Sequence, residues 1–177
     1  MLEKGLVQIY TGEGKGKTTA AFGLALRAAG QGNKILIYQF LKLPDTSEKL
    51  ALQSMRGFVI ESLGMSWDMA KSFNDEKTVA EAKIQISGAL KKIAEYAEKK
   101  VYDLLILDEI VFCLSKGLAK LEDIKDIIDR RDPAVEIVLT GRGASKELIA
   151  MADLVTEMKN IKHPFDRGVG ARKGIEF

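Results

Sequence analysis

The chain has 177 residues, of which 46% are hydrophobic and 29% are charged, and it contains only 3 prolines. This length and composition predict a single compact domain over residues 1–177. The formal net charge is +2, from 27 basic and 25 acidic residues, which argues against a nucleic-acid partner because such proteins carry a strong positive excess.

The first part of the chain has the pattern of a βαβ unit. Residues 6–10 read as a strand, and residues 17–29 read as a helix that ends before two closely spaced glycines. Residues 34–40 follow as a second strand. Their run ILIYQF has the continuous hydrophobicity of a strand that is buried on both faces of a parallel sheet.

The middle of the chain predicts one short and one long helix. Residues 45–55 favour a short helix, residues 57–63 a third strand, and residues 64–73 an irregular segment with the single tryptophan. Asn74 or Asp75 can cap the long helix that follows. Its apolar residues recur three or four positions apart, as in a helix that packs on a sheet: Val79, Ala82, Ile86, Leu90, Ile93 and Ala97.

The last part continues the alternation of strands and helices. The predicted elements are a strand at 104–107, a helix at 121–130, a strand at 136–140, a helix at 145–151 and a strand at 154–158. This alternation predicts an α/β fold, a three-layer sandwich with a mostly parallel sheet of about six strands. The residues after Lys159 form a basic, glycine-rich tail, which is either disordered or laid over a site.

A phosphate-binding loop is predicted between the first strand and the first helix, where the sequence reads TGEGKGKTT over residues 11–19. Glycines let backbone N–H groups point into one concavity, Lys17 supplies a charge, and the Thr18 hydroxyl can ligate Mg²⁺. An ordinary glycine-rich turn would not need the Gly-Lys-Thr ending. The candidate nucleotide-binding residues are Gly12, Glu13, Gly14, Lys15, Gly16, Lys17, Thr18 and Thr19.

The loop departs from the usual pattern GxxxxGK[ST], because Thr11 stands where the first glycine is expected and the glycine comes one residue later. The path of the loop decides where each phosphate lies relative to the lysine. We therefore expect the loop to bind a triphosphate, but the departure leaves transfer of the γ-phosphoryl group open.

Charged residues also follow two later strands. Asp108 and Glu109 come after the apolar run LLIL, at the carboxyl edge where ligands of open α/β sheets bind, and they are candidates for the Mg²⁺ side of the site. Arg142 follows the fifth strand between two glycines and could neutralise the triphosphate. A helix cap or a solvated pair is the alternative for the two carboxylates, and a structural surface residue is the alternative for the arginine.

The sequence offers little for other kinds of site. The single cysteine, Cys113, lies among apolar residues and is expected to be a buried thiol, and the single histidine, His163, excludes a histidine-rich metal cluster. No apolar stretch approaches the ~20 residues of a membrane span, and the N-terminus lacks a secretory signal pattern. We therefore expect a cytoplasmic protein without a membrane partner.

Five segments together resemble the ATP:corrinoid adenosyltransferases that have a phosphate-loop fold. They are TGEGKGKTTAAFG (11–23), LDE (107–109), LTGRGA (139–144), ADLVTEM (152–158) and KHPFDRGVGARKGIEF (162–177). The resemblance covers nearly the whole chain. The final segment is its most specific part, since phosphate-loop proteins at large do not share it.

The resemblance implies transfer of the 5′-deoxyadenosyl group of ATP to the cobalt of a reduced corrinoid, cob(I)alamin or a precursor such as a cob(I)yrinic acid diamide, with triphosphate released. It also implies that ATP binds in reverse along the loop, which fits the departure at Thr11. The implied catalytic residues are Lys17, Thr18, Glu109 and Arg142. Thr18 and Glu109, with Asp108, would hold the Mg²⁺.

The resemblance further implies an aromatic pair beside the corrin, which favours the four-coordinate cobalt. Here the corresponding segment keeps the second aromatic as Trp67 but has Met65 in place of the first. A core or interface role is the alternative for Trp67, and His163 is expected to be structural, with ligand binding the less favoured alternative. The family pattern also implies a homodimer and a flavoprotein reductase as electron donor.

Two other functions remain open at this point. A phosphate-loop ATPase or small-molecule kinase could use Asp108 and Glu109 to hold Mg²⁺ and orient a water, and it would release ADP and orthophosphate. A non-catalytic nucleotide sensor or corrinoid carrier could use the same loop only to bind ATP. The products of the reaction separate these possibilities.

Overall fold

A computed structural model describes residues 3–42, 47–52, 55–65, 67–68 and 71–175 of the chain. In these residues the strands are β1 (Val7–Thr11), β2 (Ile35–Gln39), β3 (Phe58–Ser62), β4 (Leu104–Asp108), β5 (Glu136–Thr140) and β6 (Leu154–Glu157). They form one sheet in the order β3-β2-β4-β5-β1-β6, and every neighbouring pair is parallel. The carboxyl ends of all these strands therefore meet at one edge.

The α-helices of the described residues are α1 (Lys17–Ala29), α2 (Ser47–Leu52), α3 (Glu76–Glu98), α4 (Ile110–Ser115), α5 (Leu121–Arg130) and α6 (Lys146–Ala150). Two 3-10 helices cover Ser72–Asn74 and Pro164–Arg167. None of the helices that the structure describes is both long and apolar enough to cross a membrane.

The sheet has an apolar core on each face, because successive side chains of a strand point to opposite sides. On one face, α1 packs with Ala21, Phe22 and Ala25 against Ile35 and other strand residues. On the other face, the buried stripe of α3 packs together with α4, α5 and α6 against the sheet. The result is the three-layer arrangement that the alternation of elements predicts.

The sequence predictions agree closely with these elements. The first helix and the α5 helix have the predicted bounds, and the six strands differ from the prediction by about one residue at their ends. Asp75 is the cap of α3, where its side chain accepts a hydrogen bond from the backbone N–H of Lys77 at 3.2 Å. Residues 45–46 and 53–54 of the predicted short helix lie outside the described residues, as do residues 66 and 69–70 of the irregular segment.

Helix α4 is an element that the sequence did not predict. Four of its six residues are buried, Ile110, Val111, Phe112 and Cys113, so its sequence shows no polar face. A short helix that is buried nearly all round has no amphipathic period to detect. The buried thiol of Cys113 is confirmed, and burial raises its pKa.

Candidate active site

The phosphate-binding loop connects β1 to α1 and is packed against the chain that follows β6. The N–H of Gly14 donates a hydrogen bond to the carbonyl of Met158 at 2.7 Å. Gly12 has a φ of 96°, and a Cβ atom there would lie 2.5 Å from the same carbonyl oxygen. Glycine is therefore required at position 12 both by the backbone conformation and by this close approach.

Thr11 is part of β1 rather than of the loop. It pairs with Glu157 of β6, is buried, and its Oγ1 accepts a hydrogen bond from the N–H of Ala144 at 3.4 Å. The strand thus continues through the position where the usual pattern has its first glycine. The same threonine ties the start of the loop to the segment that carries Arg142.

Lys17 begins α1 and directs its ammonium group back into the loop. Its Nζ donates hydrogen bonds to the carbonyls of Gly12 and Gly14, both at 2.7 Å, and only 7% of the residue is exposed. Burial lowers the pKa of this ammonium group, and the carboxylate of Glu109 opposes that shift. The charge is held in the concavity of the loop, where a phosphate could take over from the two carbonyls.

Asp108 ends β4 and is completely buried. Its Oδ1 accepts hydrogen bonds from the Thr18 hydroxyl at 2.9 Å and from the Thr140 hydroxyl at 2.7 Å. Its Oδ2 lies 2.7 Å from the Nζ of Lys42. Both carboxylate oxygens therefore have partners, as a buried charge requires.

Glu109 follows directly and has a different environment. Its φ of 67° lies in the left-handed region, and its N–H donates a hydrogen bond to the Thr140 hydroxyl at 3.0 Å. Burial raises the pKa of its carboxyl group, and the nearby charge of Asp108 raises it further. A strained backbone and a perturbed carboxyl group in one residue are typical of functional sites.

A cavity of about 510 Å³ lies at the carboxyl edge of the sheet, and Gly12 and Asp108 stand behind its lining rather than in it. Its lining contains the whole loop from Glu13 to Thr19, with Lys42, Glu109 and Arg142. A guanidinium nitrogen of Arg142 lies 3.1 Å from a carboxylate oxygen of Glu13, and both side chains are largely exposed. The arginine is therefore close enough to the loop to reach an anion bound there.

The C-terminal tail lies over this cavity. His163, Gly174 and Ile175 contribute to its lining, and the Nζ of Lys15 donates a hydrogen bond to the carbonyl of Ile175 at 3.1 Å. The Nδ1 of His163 accepts a hydrogen bond from the N–H of Phe165 at 3.2 Å, so the histidine caps the last 3-10 helix. The described part of the tail therefore lies over a site, which is one of the two alternatives that the sequence leaves open.

Met65 and Trp67 are half-buried and pack against the larger apolar core. The Trp67 ring contacts Phe73 edge-on with centroids 4.9 Å apart, and Phe73 lies 6.2 Å from Phe112 in α4. Among the described residues, the indole Nε1–H of Trp67 is buried without a hydrogen-bond partner. Neither Met65 nor Trp67 belongs to the described lining of the cavity.

The oxygen atoms at the edge of β4 suit a hard divalent cation. Thr18, Asp108 and Glu109 present a hydroxyl and two carboxylates, which are ligand types that Mg²⁺ takes together with substrate phosphates. The described residues contain no cluster of three or more His, Cys, Asp or Glu that could hold a metal ion alone. The Lys42 ammonium group already lies against Asp108 and Thr18, so these oxygen atoms accept a positively charged neighbour.

Sequence reasoning missed two polar residues of the site. Thr140 links Asp108 to the backbone of Glu109, and Lys42 pairs with Asp108. No motif marks Lys42, and Thr140 lies in the LTGRGA segment of the resemblance without a role assigned to it. The sequence could have indicated their position, because each residue ends or follows a predicted strand and so lies at the carboxyl edge of the sheet. The same reasoning predicts the positions of Asp108, Glu109 and Arg142.

Comparisons with known proteins agree with one another. The family model described as "ATP:corrinoid adenosyltransferase BtuR/CobO/CobP" matches residues 3–177. A corrinoid adenosyltransferase from Escherichia coli (strain K12) is 33% identical over 181 residues, which cover 99% of this chain and 87% of that protein. Another from Sinorhizobium sp. is 35% identical over 181 residues, with 99% and 81% covered.

A solved structure, the KaiC-like protein PH0186 from Pyrococcus horikoshii OT3, aligns with a TM-score of 0.49 and 13% sequence identity. The alignment covers 90% of this chain and 74% of that one.

Proposed function

The chain belongs to the ATP:corrinoid adenosyltransferase family, and from this premise we propose that the cavity at the phosphate loop is where adenosyl transfer takes place. The observation that carries the proposal is the convergence of Lys17, Thr18, Glu109 and Arg142 on one cavity of about 510 Å³. A cavity of this size suits a nucleotide with part of a second substrate beside it.

The reaction forms a bond between the cobalt of the reduced corrinoid and C5′ of ATP. The electron pair of Co(I) attacks C5′, the bond between C5′ and its oxygen breaks, and that electron pair leaves with triphosphate. Since the metal of the substrate is the nucleophile, the enzyme needs no side chain as nucleophile or general base. The residues of the cavity act on the leaving group.

Stabilisation of the leaving triphosphate is the main task of the phosphate loop. Lys17 exchanges the carbonyls of Gly12 and Gly14 for phosphate oxygens, and the N–H groups of the loop donate to the same anion. Arg142 exchanges its exposed pair with Glu13 for the same anion. Negative charge that develops on the oxygen of C5′ is then spread over the ammonium group, the guanidinium group and the N–H groups of the loop.

Mg²⁺ belongs to this proposal as the counterion of the triphosphate. Thr18 and Glu109 would hold it together with phosphate oxygens, and Asp108 would orient the Thr18 hydroxyl from behind. When bound, the cation neutralises the leaving group. The raised pKa of Glu109 reflects burial beside another carboxylate, an arrangement that a divalent cation would stabilise.

Trp67 and Met65 form the proposed corrinoid side. The contact of Trp67 with Phe73, and of Phe73 with Phe112, connects this segment to α4, whose N-cap is Glu109. An apolar surface beside the cobalt would favour loss of the lower axial ligand of the corrinoid. The half-buried ring, whose Nε1–H has no hydrogen-bond partner among the residues that the structure describes, supports a segment that repacks when the corrinoid binds.

Oligomeric state and reduction complete the proposal. Strand β6 is an edge strand on which Leu154 and Val155 are 41% and 39% exposed, which supports a homodimer that covers this edge. The chain has one cysteine and no dithiol to supply an electron, so a flavoprotein reductase is the proposed source of Co(I). The use of ATP favours the cytoplasm.

The test is a reaction of the protein with ATP, Mg²⁺ and chemically reduced cobalamin, followed by visible spectroscopy. We expect a spectrum with a light-sensitive cobalt–carbon bond, and we expect Lys17→Ala to abolish it. Lys83→Ala, an exposed substitution on α3, is the matched control and should behave as the wild type. Undiminished formation of the bond by Lys17→Ala would remove the reaction from this cavity.

A further inference from the structure

Lys42 contacts the groups that are proposed to face the magnesium ion. Its Nζ lies 2.7 Å from Oδ2 of Asp108 and 3.4 Å from Oγ1 of Thr18. The Lys42 side chain is 26% exposed, whereas that of Asp108 is not exposed at all. The ammonium group therefore reaches the buried carboxylate from the cavity, which Lys42 also lines.

The other partners of Asp108 are neutral. Hydroxyl groups of Thr18 and Thr140 donate to Oδ1, and the amide of Gln39 lies 3.5 Å from Oδ2. Within the part of the chain that the structure describes, Lys42 is the one cation in salt-bridge contact with this carboxylate. A buried carboxylate without a compensating charge is strongly unfavourable, so this contact matters to the free enzyme.

The backbone places Lys42 at this point. Gln39 of β2 is the register partner of Asp108 in β4, and the N–H of Phe40 donates to the Asp108 carbonyl at 2.9 Å. Leu41 then has a φ of 59°, which turns the chain sharply for a residue that is not glycine. The turn brings the next residue, Lys42, back to the edge of the sheet.

We propose that the Lys42 ammonium fills the cation position beside Asp108 and Thr18 in the free enzyme and moves to the triphosphate when Mg²⁺ and ATP bind. The inference rests on the proposed function, because that function places Mg²⁺ beside Thr18. A lysine suits this exchange, since its compact charge sits on a long, flexible stem. A cation then accompanies Asp108 in both states.

This exchange has a consequence for the order of binding. Without nucleotide, a divalent cation must displace an ammonium group that already pairs with Asp108. With nucleotide, the phosphates offer Lys42 a new partner and supply further oxygen ligands to the metal. The free enzyme should therefore bind divalent cations poorly, and it should take up the metal together with the triphosphate.

The test measures binding of Mn²⁺ to the free protein by electron paramagnetic resonance, without ATP or corrinoid. We expect Lys42→Met to bind Mn²⁺ at least about tenfold more tightly than the wild type, because a competing charge has been removed. Lys83→Met, the same change at an exposed position of α3, should leave the affinity unchanged. Adding Asp108→Asn to Lys42→Met should abolish the gain.

Equal Mn²⁺ affinity of folded wild type and Lys42→Met would overturn the proposal. A second measurement applies to the wild type even where the variant does not fold. In protein with ¹⁵N-labelled lysine, one ammonium signal that Lys42→Arg removes should be protected from exchange in the free enzyme, and its chemical shift should change when Mg²⁺ and inorganic triphosphate are added together.

An unchanged chemical shift of that signal in the presence of both ligands would also overturn the exchange of partners by Lys42. Neither measurement uses adenosyl transfer, so failure of the proposed function can be distinguished from failure of this proposal. In that case no cobalt–carbon bond forms, whatever the Mn²⁺ affinities are.

Discussion

The phosphate-loop side and the Trp67 side of the molecule are held by different forces. At the loop, Asp108 is completely buried and accepts directed hydrogen bonds from Thr18 and Thr140 in addition to its ion pair. Trp67 is held by ring contacts, with its Nε1–H unpartnered among the described residues. Directed bonds fix atoms closely, whereas apolar contacts tolerate repacking.

This difference suits the different roles that we propose for the phosphate loop and for the Trp67 segment. The proposed triphosphate site should be held close to its working geometry, because preorganised charges stabilise a leaving group with little reorganisation. A corrin is a large, flat ligand, and an apolar segment can adapt to it. We therefore expect substitutions on the loop side to affect the chemical step directly, and substitutions on the Trp67 side to affect mainly the state of the cobalt.

The largest effect is expected on the loop side. Lys17→Ala and Thr18→Ala should each lower the rate of adenosyl transfer by at least about 100-fold, since they remove the charge and the metal ligand that we propose act on the leaving group. Single-turnover kinetics with pre-reduced cobalamin measures this loss, and circular dichroism checks the fold. Near-normal rates in both folded variants would refute the division of labour.

The next effect concerns Trp67. Trp67→Ala should slow the reaction from cob(II)alamin with a reductase by about tenfold or more, but that from pre-reduced cob(I)alamin only a few-fold, since the proposed role of the ring precedes alkyl transfer. The measured quantity is the ratio of the two rates in variant and wild type. Trp67→Phe controls for lost packing, and an equal loss in both assays would give the ring a purely structural role.

A smaller gain is expected at Met65. Met65→Phe restores an aromatic side chain where the resembling family has one, and it should speed the reaction from cob(II)alamin by roughly two- to fivefold. The rate from pre-reduced cob(I)alamin should stay the same. A variant in which both rates change together would show that the residue affects corrinoid binding rather than reduction.

The smallest effect is expected at an exposed ion pair between α3 and β3, away from the loop. Lys92 lies 2.8 Å from Glu61 of β3, and this hydrogen bond raises the pKa of the lysine. Lys92→Met should lower the free energy of unfolding by at most about 1 kcal/mol, because exposed pairs are screened by solvent. A larger loss in urea titration would show that this ion pair contributes substantially to the packing of α3 against β3.

The sign of the pH dependence follows from the raised pKa. The contribution of the Lys92 pair is complete below the ordinary lysine pKa of about 10.4 and is lost as the pH rises beyond it. The difference in unfolding free energy between wild type and Lys92→Met should therefore be constant from pH 6 to about pH 9.

Much of the fold could be predicted from the sequence because each level of pattern agreed. The apolar period of α3, the cap at Asp75 and the buried strands gave consistent signals. The α4 helix could not be predicted, since a short segment buried nearly all round has neither period nor polar face. The residues 11–19 of the loop carry their own motif and were found directly.

The pairing of Lys42 and Thr140 with Asp108 could not be predicted from the sequence, for a physical reason. Lys42 joins Asp108 because β2 and β4 are neighbours in the sheet and because Leu41 turns the chain back, and strand order is a tertiary property. Thr140 joins them through β5, the other neighbour of β4. Single-sequence patterns place such residues at one edge but do not pair them.

The central claim is that triphosphate leaves C5′ of ATP in the phosphate-loop cavity as the 5′-deoxyadenosyl group is transferred to cobalt, and phosphorus NMR of the complete reaction tests it most directly. With ATP, Mg²⁺ and pre-reduced cobalamin, intact triphosphate should appear in equal amount to the adenosylated corrinoid, and without corrinoid the ATP should persist. Appearance of ADP and orthophosphate at the rate of turnover would contradict the account, because the bond broken would then lie at the γ-phosphate.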